Sequence, residues 1–311
     1  ATIAISASVR KRLPWPTLHA LARRADATGV ELREIPDAGG QTANAFKAAT
    51  VSSVDRTVEW AVFDKDALVP GPDWGTGDLK SPVVRQNHND ASMSTGKLLS
   101  LAVVESERPN QCSVFSANGE LDGSVSEFGK RFWEQLTGVS PWLKEGMESG
   151  PPRSVEYTDR YLKSPLSARL LYEVLQQLVS GENSATQTTQ VRLNTMKATE
   201  KQTGRHLHHN WSNYRVQEST LKSIFRSLGK PSIRLLARDK LAHARCMRIE
   251  WRNGLSAAIT LDQGMGFARC VGTVDHHFRD APELQANALI SCAFAIQQSD
   301  HKVPFYVMRG N

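Results

Sequence analysis

Apolar and charged positions alternate most clearly along residues 247–251, and apolar and small or polar positions alternate along residues 255–261. An alternation with a period of two is typical of a strand that is buried on one face. Asn253 and Gly254 lie between the two segments, and this pair favours a two-residue turn because both residues tolerate a positive φ. The pattern predicts a β-hairpin closed by a two-residue turn at Asn253-Gly254.

Similar patterns predict helices and strands on both sides of this hairpin. Ser164-Pro165 is typical of a helix start, because serine caps the helix and proline suits its first position. In chain order, the C-terminal half is predicted to contain a strand at 154–158, a helix from 165, a strand at 191–195, a helix ending at Gly229, the hairpin, a helix at 281–296 and a strand at 303–308. This order predicts an α/β fold in which a mixed sheet is flanked by helices.

The N-terminal half is also predicted to be α/β. Residues 2–6 and 30–35 alternate as strands, and an apolar stripe between them predicts a helix that ends at Gly29. Ser124-Val-Ser-Glu127 has the spacing of a capping box and predicts the start of a further helix that ends at Gly138. The opening of the chain is therefore read as a β-α-β unit.

A domain boundary is predicted in residues 138–152, which are rich in glycine, proline and serine. We expect an N-terminal α/β domain over residues 1–145 and a second domain over residues 146–311. The motifs of the first domain identify no family. It is read either as a diverged copy of the second domain or as an unrelated adaptor.

Composition narrows the class of protein. The chain has 311 residues, of which 40% are hydrophobic and 23% charged, and no apolar run reaches the roughly 18 residues that span a bilayer. The first residues do not read as a secretory signal, and the four cysteines form no Cys-x-x-Cys pair. A reduced, cytoplasmic protein is expected. The missing initial methionine indicates trimming or a fragment of a longer protein.

The charge is distributed unevenly. Residues 151–311 contain 22 basic and 13 acidic side chains, a net charge of +9, whereas residues 1–150 contain 16 and 19, a net charge of −3. A basic half indicates a surface that binds a polyanion, although scattered, solvated lysines and arginines would give the same count.

The candidate chemistry lies on the first strand of the predicted hairpin. His243, Arg245 and Glu250 have the spacing His-x-Arg-x-x-x-x-Glu, which a surface strand with alternating polar residues would also give. The spacing resembles the His-x-Lys-x-x-x-x-Asp signature of the phospholipase D (HKD) superfamily, and Asp262-Gln-Gly-Met-Gly266 occupies the place of that family's phosphate-binding segment. The resemblance implies His243 as nucleophile, Arg245 as phosphate clamp and Glu250 as orienting carboxylate. The family's Gly-Ser-x-Asn segment is absent.

A second resemblance covers roughly residues 153–308. The segments Glu156–Lys163, Leu241–Arg245 and Leu261–Gly264 look like the phospholipase D-like domain at the C-terminus of MIT-domain proteins, a binding version of the fold without the full catalytic set. This resemblance implies a phosphate-facing cleft lined by Asp159, Arg160, Lys163, His243 and Arg245. A local ion pair between Asp159 and Arg160 at the helix entry is the alternative.

Further basic and histidine residues are candidates for phosphate contact. His206, His208 and His209 form the densest histidine cluster, which is read as a solvated loop, as a phosphate contact or, less readily, as a metal site. No cysteine or carboxylate stands nearby at a usual ligand spacing, so neither a metal nor a cofactor is expected. Arg192, Arg215 and Lys222 complete the set expected to bind phosphate or nucleic acid.

Three functions fit these observations. The first is a degenerate phospholipase D-like module that binds the nucleic-acid backbone, DNA rather than RNA, as a subunit of a prokaryotic nucleic-acid-processing or anti-phage defence complex. The second is a metal-independent phosphodiesterase or nuclease that acts through His243 in a homodimer. The third is a membrane-surface or protein-interaction module, although a membrane partner is not expected. Whether the protein is an enzyme stays open.

Overall fold

The structure is a computed structural model, and it falls into two compact units, Ala1–Pro109 and Asn110–Asn311. The boundary expected from the sequence, between residues 145 and 146, lies within the second unit. The limits of independently folding domains stay a prediction. The structure describes residues 2–35, 58–62, 83–85, 97–162, 164–179, 188–198, 211, 213–241, 245–266, 268–270, 295–298 and 303–310.

The first unit contains a five-stranded sheet in the order β4-β3-β1-β2-β5, in which β1 runs parallel to β2 and β3. The predicted β-α-β opening is confirmed, and Gly29 ends the second helix in a left-handed conformation with a φ of 66°. The elements of this unit are β1 (Thr2–Ser6), α1 (Ala7–Arg12), α2 (Trp15–Thr28), β2 (Glu31–Ile35), β3 (Val58–Val62), β4 (Val83–Arg85), β5 (Lys97–Leu98) and α3 (Leu101–Ser106).

The second unit is built on a seven-stranded sheet in the order β10-β9-β8-β11-β12-β15-β6, with a separate three-stranded sheet in the order β13-β14-β7. Its elements are β6 (Cys112–Ala117), β7 (Gly123–Ser124), α4 (Phe128–Val139), α5 (Pro141–Glu148), β8 (Ser154–Asp159), α6 (Pro165–Val179), β9 (Gln190–Met196), α7 (Tyr214–Ile224), β10 (Ser232–Leu236), β11 (Arg245–Glu250), β12 (Ser256–Leu261), β13 (Ala268–Cys270), β14 (Ala295–Gln298) and β15 (Val303–Arg309). The predicted mixed α/β fold with a sheet flanked by helices is confirmed.

The direction of the strands determines which loops meet. Strands β8, β9 and β10 are parallel and are joined through α6 and α7, whereas β11, β12, β15 and β6 continue the sheet as antiparallel neighbours. Because Cys246 pairs with Thr158, β11 begins where β8 ends, and β12 ends beside the start of β11. We call this side of the sheet the carboxyl edge: the residues that follow β8, β9, β10 and β12, together with the starts of β11 and α7.

The two faces of the seven-stranded sheet differ in polarity. Alternate residues such as Tyr157 and Met247 point into one core, where they pack with helices α4, α6 and α7. On the opposite face of strands β8 to β11, the intervening residues are polar, and Arg192, Arg234 and Arg248 are exposed. The alternation read from the sequence therefore reflects burial of one face, as a half-buried sheet requires.

The hairpin predicted from the sequence is confirmed, but its turn is longer than predicted. Strands β11 and β12 pair from Arg245–Leu261 to Glu250–Ser256. The backbone N–H of Trp251 then donates to the carbonyl of Leu255 at 2.8 Å, which leaves three residues in the loop. Only Gly254 of these has a positive φ, of 88°. The two-residue turn was wrong because only the second residue of Asn-Gly takes the left-handed conformation.

The predicted helix ends fared differently from one another. The Ser164 hydroxyl accepts the backbone N–H of Ser167 at 3.2 Å, so the predicted cap of α6 is confirmed. The capping box at residues 124–127 was wrong: Ser124 belongs to β7, and α4 begins at Phe128 without a side-chain cap. Residues 295 and 296, predicted as the end of a helix, lie in β14.

Two further predictions can be compared with the structure. Residues 141–148, within the segment expected to link two domains, form helix α5. Among the described residues, no helix combines the length and the apolar character that crossing a membrane would require.

Candidate functional site

A buried carboxylate organises the carboxyl edge. Asp159 is the last residue of β8 and is 1% exposed. Its Oδ2 accepts the hydroxyl of Tyr157 at 2.8 Å, and its Oδ1 accepts the backbone N–H of Tyr161 at 2.6 Å. The Nε of Arg245, at the start of β11, lies 3.6 Å from Oδ1. A buried carboxylate requires such partners, so Asp159 fixes the end of β8 against the start of β11.

The loop after β12 closes over this ion pair. Arg245 donates from Nη1 to the carbonyl of Asp262, and its guanidinium lies 4.6 Å from the centre of the Tyr161 ring. Gly264 has a φ of 61° and lies directly against Asp159 and Arg245, because a Cβ there would overlap the carboxylate. The glycine segment that resembled a phosphate-binding loop is therefore required for packing at this position.

Arg160 supports the neighbouring turn. Its Nη2 donates to the carbonyl oxygens of Arg238, at 2.9 Å, and of Leu241. Both carbonyls belong to the segment that follows β10, so Arg160 connects the end of β8 to the end of β10. The turn held in this way carries the exposed side chains of Arg238 and Lys240. The predicted ion pair between Asp159 and Arg160 is not among the contacts of the described residues.

The end of β9 and the start of α7 add further basic side chains. Lys197 is exposed, and its Nζ lies 4.0 Å from the centre of the Tyr214 ring, while the guanidinium of Arg215 lies 5.9 Å from the same ring. Asn213 caps α7 by accepting the backbone N–H of Arg215 at 3.0 Å. The buried side chain of Gln217 accepts from the backbone of residue 198 and donates to the carbonyl of residue 196, which holds α7 against β9.

The carboxyl edge is positively charged in sum. Asp159 is paired with Arg245, and Asp239 lies 4.0 Å from Lys240. Within the described residues, neither Lys197 nor Arg238 forms an ion pair. The amino ends of α6 and α7 lie here too and add the positive end of each helix dipole. The basic side chains that follow the strand ends or begin β11 and α7 are Arg160, Lys197, Arg215, Arg238, Lys240 and Arg245.

Four of the predicted site residues come together here, and others do not. The edge brings together Asp159, Arg160, Arg215 and Arg245, while five predicted residues lie outside the described part of the chain. Those five are His243, Lys163, His206, His208 and His209.

Three predicted residues lie away from the edge. Arg192 is exposed in the middle of β9, on the face opposite the core. Lys222 lies near the far end of α7 and pairs with Glu218 at 2.6 Å. Glu250 is the last residue of β11, and its Oε2 accepts the hydroxyl of Ser154 at 3.0 Å.

Sequence reasoning missed Lys197, Arg238, Lys240 and the two tyrosines. A signal was present, because Lys197 directly follows β9 and Arg238 stands two residues after β10. In sheets with parallel strands, ligands bind beyond the carboxyl ends of the strands. Applied to every predicted strand, this rule would have selected both residues.

The buried Tyr157 predicts an alkaline loss of stability. Burial, reinforced by the charge of Asp159, raises its pKa well above the ordinary value of 10.0. The folded protein holds the proton that the unfolded chain releases, so the free energy of unfolding should fall as the pH rises above about 10. We expect Tyr157→Phe to unfold about 1 kcal/mol more easily at neutral pH and to show a shallower alkaline loss. Urea denaturation of both proteins from pH 7 to 11 checks this, and parallel pH profiles would contradict it.

Comparison with protein families gives one match. Residues 111–310, more than half of the 311-residue chain, match the C-terminal domain of the DEAD/DEAH box helicase YjiV. No curated protein and no solved structure matches the chain.

This match corrects the resemblance to the phospholipase D superfamily, which was wrong, including its MIT-domain version over residues 153–308. The degenerate phospholipase D-like module, its defence complex, the His243 nuclease and the membrane-surface module lose their basis with it. The spacing between Arg245 and Glu250 has another origin. The two residues begin and end β11, which separates them by about 16 Å at roughly 3.3 Å per residue, and each contacts a different partner. The chain belongs to the family of the C-terminal domain of DEAD/DEAH box helicase YjiV.

Proposed function

We propose that residues 111–310 form a nucleic-acid-binding domain of a helicase, and that the carboxyl edge contacts the phosphate backbone. The family name describes a helicase, an enzyme whose substrate is nucleic acid. The observation that carries the proposal is the concentration of exposed basic side chains at one edge of the sheet, where the buried acid is already paired with Arg245.

The edge divides into supporting and contacting residues. The buried Asp159 supports the edge, and Arg160 and Arg245 use guanidinium groups to hold backbone carbonyls in place. Lys197 and Arg238 are exposed and have no acidic partner among the described residues, so their charge is available to phosphate. Contacts of this kind position a protein on nucleic acid without reading its sequence.

Several finer predictions belong to the same proposal. Contact by Arg215 follows from its place at the edge. Contact by Arg192 or Lys222 would require a strand that extends beyond the edge, because both lie elsewhere on the domain. A preference for DNA over RNA and an association with other protein subunits stay predictions, supported by no contact within the described residues. Contacts by Lys163, His206, His208 and His209 likewise stay predictions.

Removing the charge of the edge should weaken binding. The variant combines Lys197→Ala, Arg238→Ala and Lys240→Ala. With labelled DNA and RNA at two salt concentrations, we expect at least about a tenfold loss of affinity at low salt. We also expect a salt dependence reduced by up to about 0.9 per lost phosphate contact, because each bound phosphate releases counterions.

A matched variant removes the same charge elsewhere. Lys144, Arg226 and Lys230 are exposed residues of α5 and of the turns between α7 and β10. Their combined replacement by alanine should change the affinity by less than about threefold, since distant charges are screened beyond about 10 Å. Equal losses in the two triple variants would reduce the effect to net charge and overturn the assignment to the carboxyl edge.

A further inference from the structure

Two half-buried tyrosine rings accompany the basic side chains of the carboxyl edge. Tyr161 follows the last residue of β8 by two positions, and Tyr214 is the first residue of α7. The indole Nε1 of Trp211 donates to the carbonyl of Leu162 at 2.9 Å, which joins the loop before α7 to the loop after β8. The two rings therefore belong to adjoining loops of one edge.

Each ring has a cation beside it. The guanidinium of Arg245 lies 4.6 Å from the centre of the Tyr161 ring, and the Nζ of Lys197 lies 4.0 Å from the centre of the Tyr214 ring. Proteins that bind unpaired strands combine a basic groove for the phosphates with aromatic rings on which bases stack. Both components occur here within one pair of loops.

We infer that the carboxyl edge takes an unpaired nucleic-acid strand, with bases stacked on Tyr161 and Tyr214 and phosphates held by the neighbouring cations. This inference rests on the proposed function and specifies the form of nucleic acid. A duplex keeps the faces of its bases inside its own stack, so it offers the tyrosine rings nothing to stack on. Only a strand without a partner uses both components of the edge.

The outer face of the sheet differs from the edge in this respect. Arg192, Arg234 and Arg248 are exposed there on three strands. At the positions of β8 to β11 that point to this face, none of the described residues is aromatic. This face could hold phosphates of either a single strand or a duplex, but it has no ring that distinguishes between them.

The test compares two double variants of the full chain. Tyr161→Leu with Tyr214→Leu removes both rings, whereas Tyr161→Phe with Tyr214→Phe keeps them. Affinities for a labelled single strand and for a duplex of equal length are measured by fluorescence anisotropy. We expect the ratio of single-strand to duplex affinity to fall at least about fivefold in the leucine variant, the lower limit for one lost stacked base. The phenylalanine variant should keep the ratio of the unmodified protein.

A second measurement needs no substitution in the protein. A single strand that carries 5-iodouracil is irradiated in complex with the unmodified chain, and the crosslinked peptides are identified. We expect crosslinks at Tyr161 or Tyr214. Crosslinks confined to other residues would overturn the inference even if the leucine variant failed to fold.

The outcomes separate this inference from the proposed function. If the leucine variant keeps the affinity ratio while the triple variant of Lys197, Arg238 and Lys240 binds both substrates weakly, the stacking is disproved and the phosphate contact stands. If the triple variant binds both substrates like the unmodified protein, the proposed function itself fails.

Discussion

Replacing Gly129 by alanine is expected to lower the free energy of unfolding by about 3 kcal/mol. Gly129 lies in α4 where this helix crosses α6, and a Cβ there would overlap the backbone carbonyl of Glu173 and come within 2.9 Å of Cγ of Gln177. A side chain could rotate away, but the carbonyl belongs to the backbone of α6. The two helices would have to separate, which loosens the contacts of Phe128 and Phe132 in the core.

Gly138 provides the matched control for this substitution. It lies in the same helix, but no atom lies within 4 Å of the position that a Cβ would take. Alanine there should stabilise the helix by up to about 1 kcal/mol, because it restricts the unfolded chain without meeting a neighbour. Urea denaturation of both variants measures the difference. Shifts of the same sign and size would show that the two helices do not approach at Gly129.

The elements of the second unit were largely predictable because their signals are local. Alternation along residues 245–261 predicted the hairpin, and Ser164-Pro165 predicted the start of α6. The errors occurred where a local pattern had two outcomes. The spacing of Ser124 and Glu127 fits a capping box, yet pairing with β14 draws Ser124 into a strand instead.

The carboxyl edge was predictable only in part, because it depends on the order of the strands. Asp159, Arg245 and Gly264 are far apart in the chain and meet only because β11 lies between β8 and β12. The sequence gave reasons to select each region but not their common function, and a chance spacing on β11 was read as a catalytic signature. The charge surplus of the C-terminal half indicated a polyanion partner without locating its surface.

Alanine at Gly264 should be the second strongly destabilising substitution, with a loss of about 3 kcal/mol or more in the free energy of unfolding. The φ of 61° already disfavours a residue with a Cβ, by about 1–2 kcal/mol. In addition, the Cβ would overlap Oδ2 of Asp159 and lie 2.9 Å from Cδ of Arg245. The carboxylate cannot yield easily, because moving it breaks its hydrogen bonds to Tyr157 and Tyr161.

Gly254, in the turn after β11, isolates the backbone part of this effect. Its φ is 88°, but no atom lies within 4 Å of the position of a Cβ. Gly254→Ala should therefore lose only about 1–2 kcal/mol. Urea denaturation of the two variants measures the extra loss at Gly264, and equal losses would mean that the loop does not pack on Asp159.

The same pair of variants connects stability to binding. If Arg245 is displaced by a methyl group at Gly264, its guanidinium no longer lies over the Tyr161 ring, and the edge loses an aligned cation and ring together. Under conditions where both variants are folded, Gly264→Ala should bind a single strand at least about fivefold more weakly than Gly254→Ala, which is about 1 kcal/mol. Gly254 lies at the other end of β11 from Arg245, so its substitution leaves the carboxyl edge intact. Equal affinities would show that the closed loop stabilises the domain without shaping the surface that binds nucleic acid.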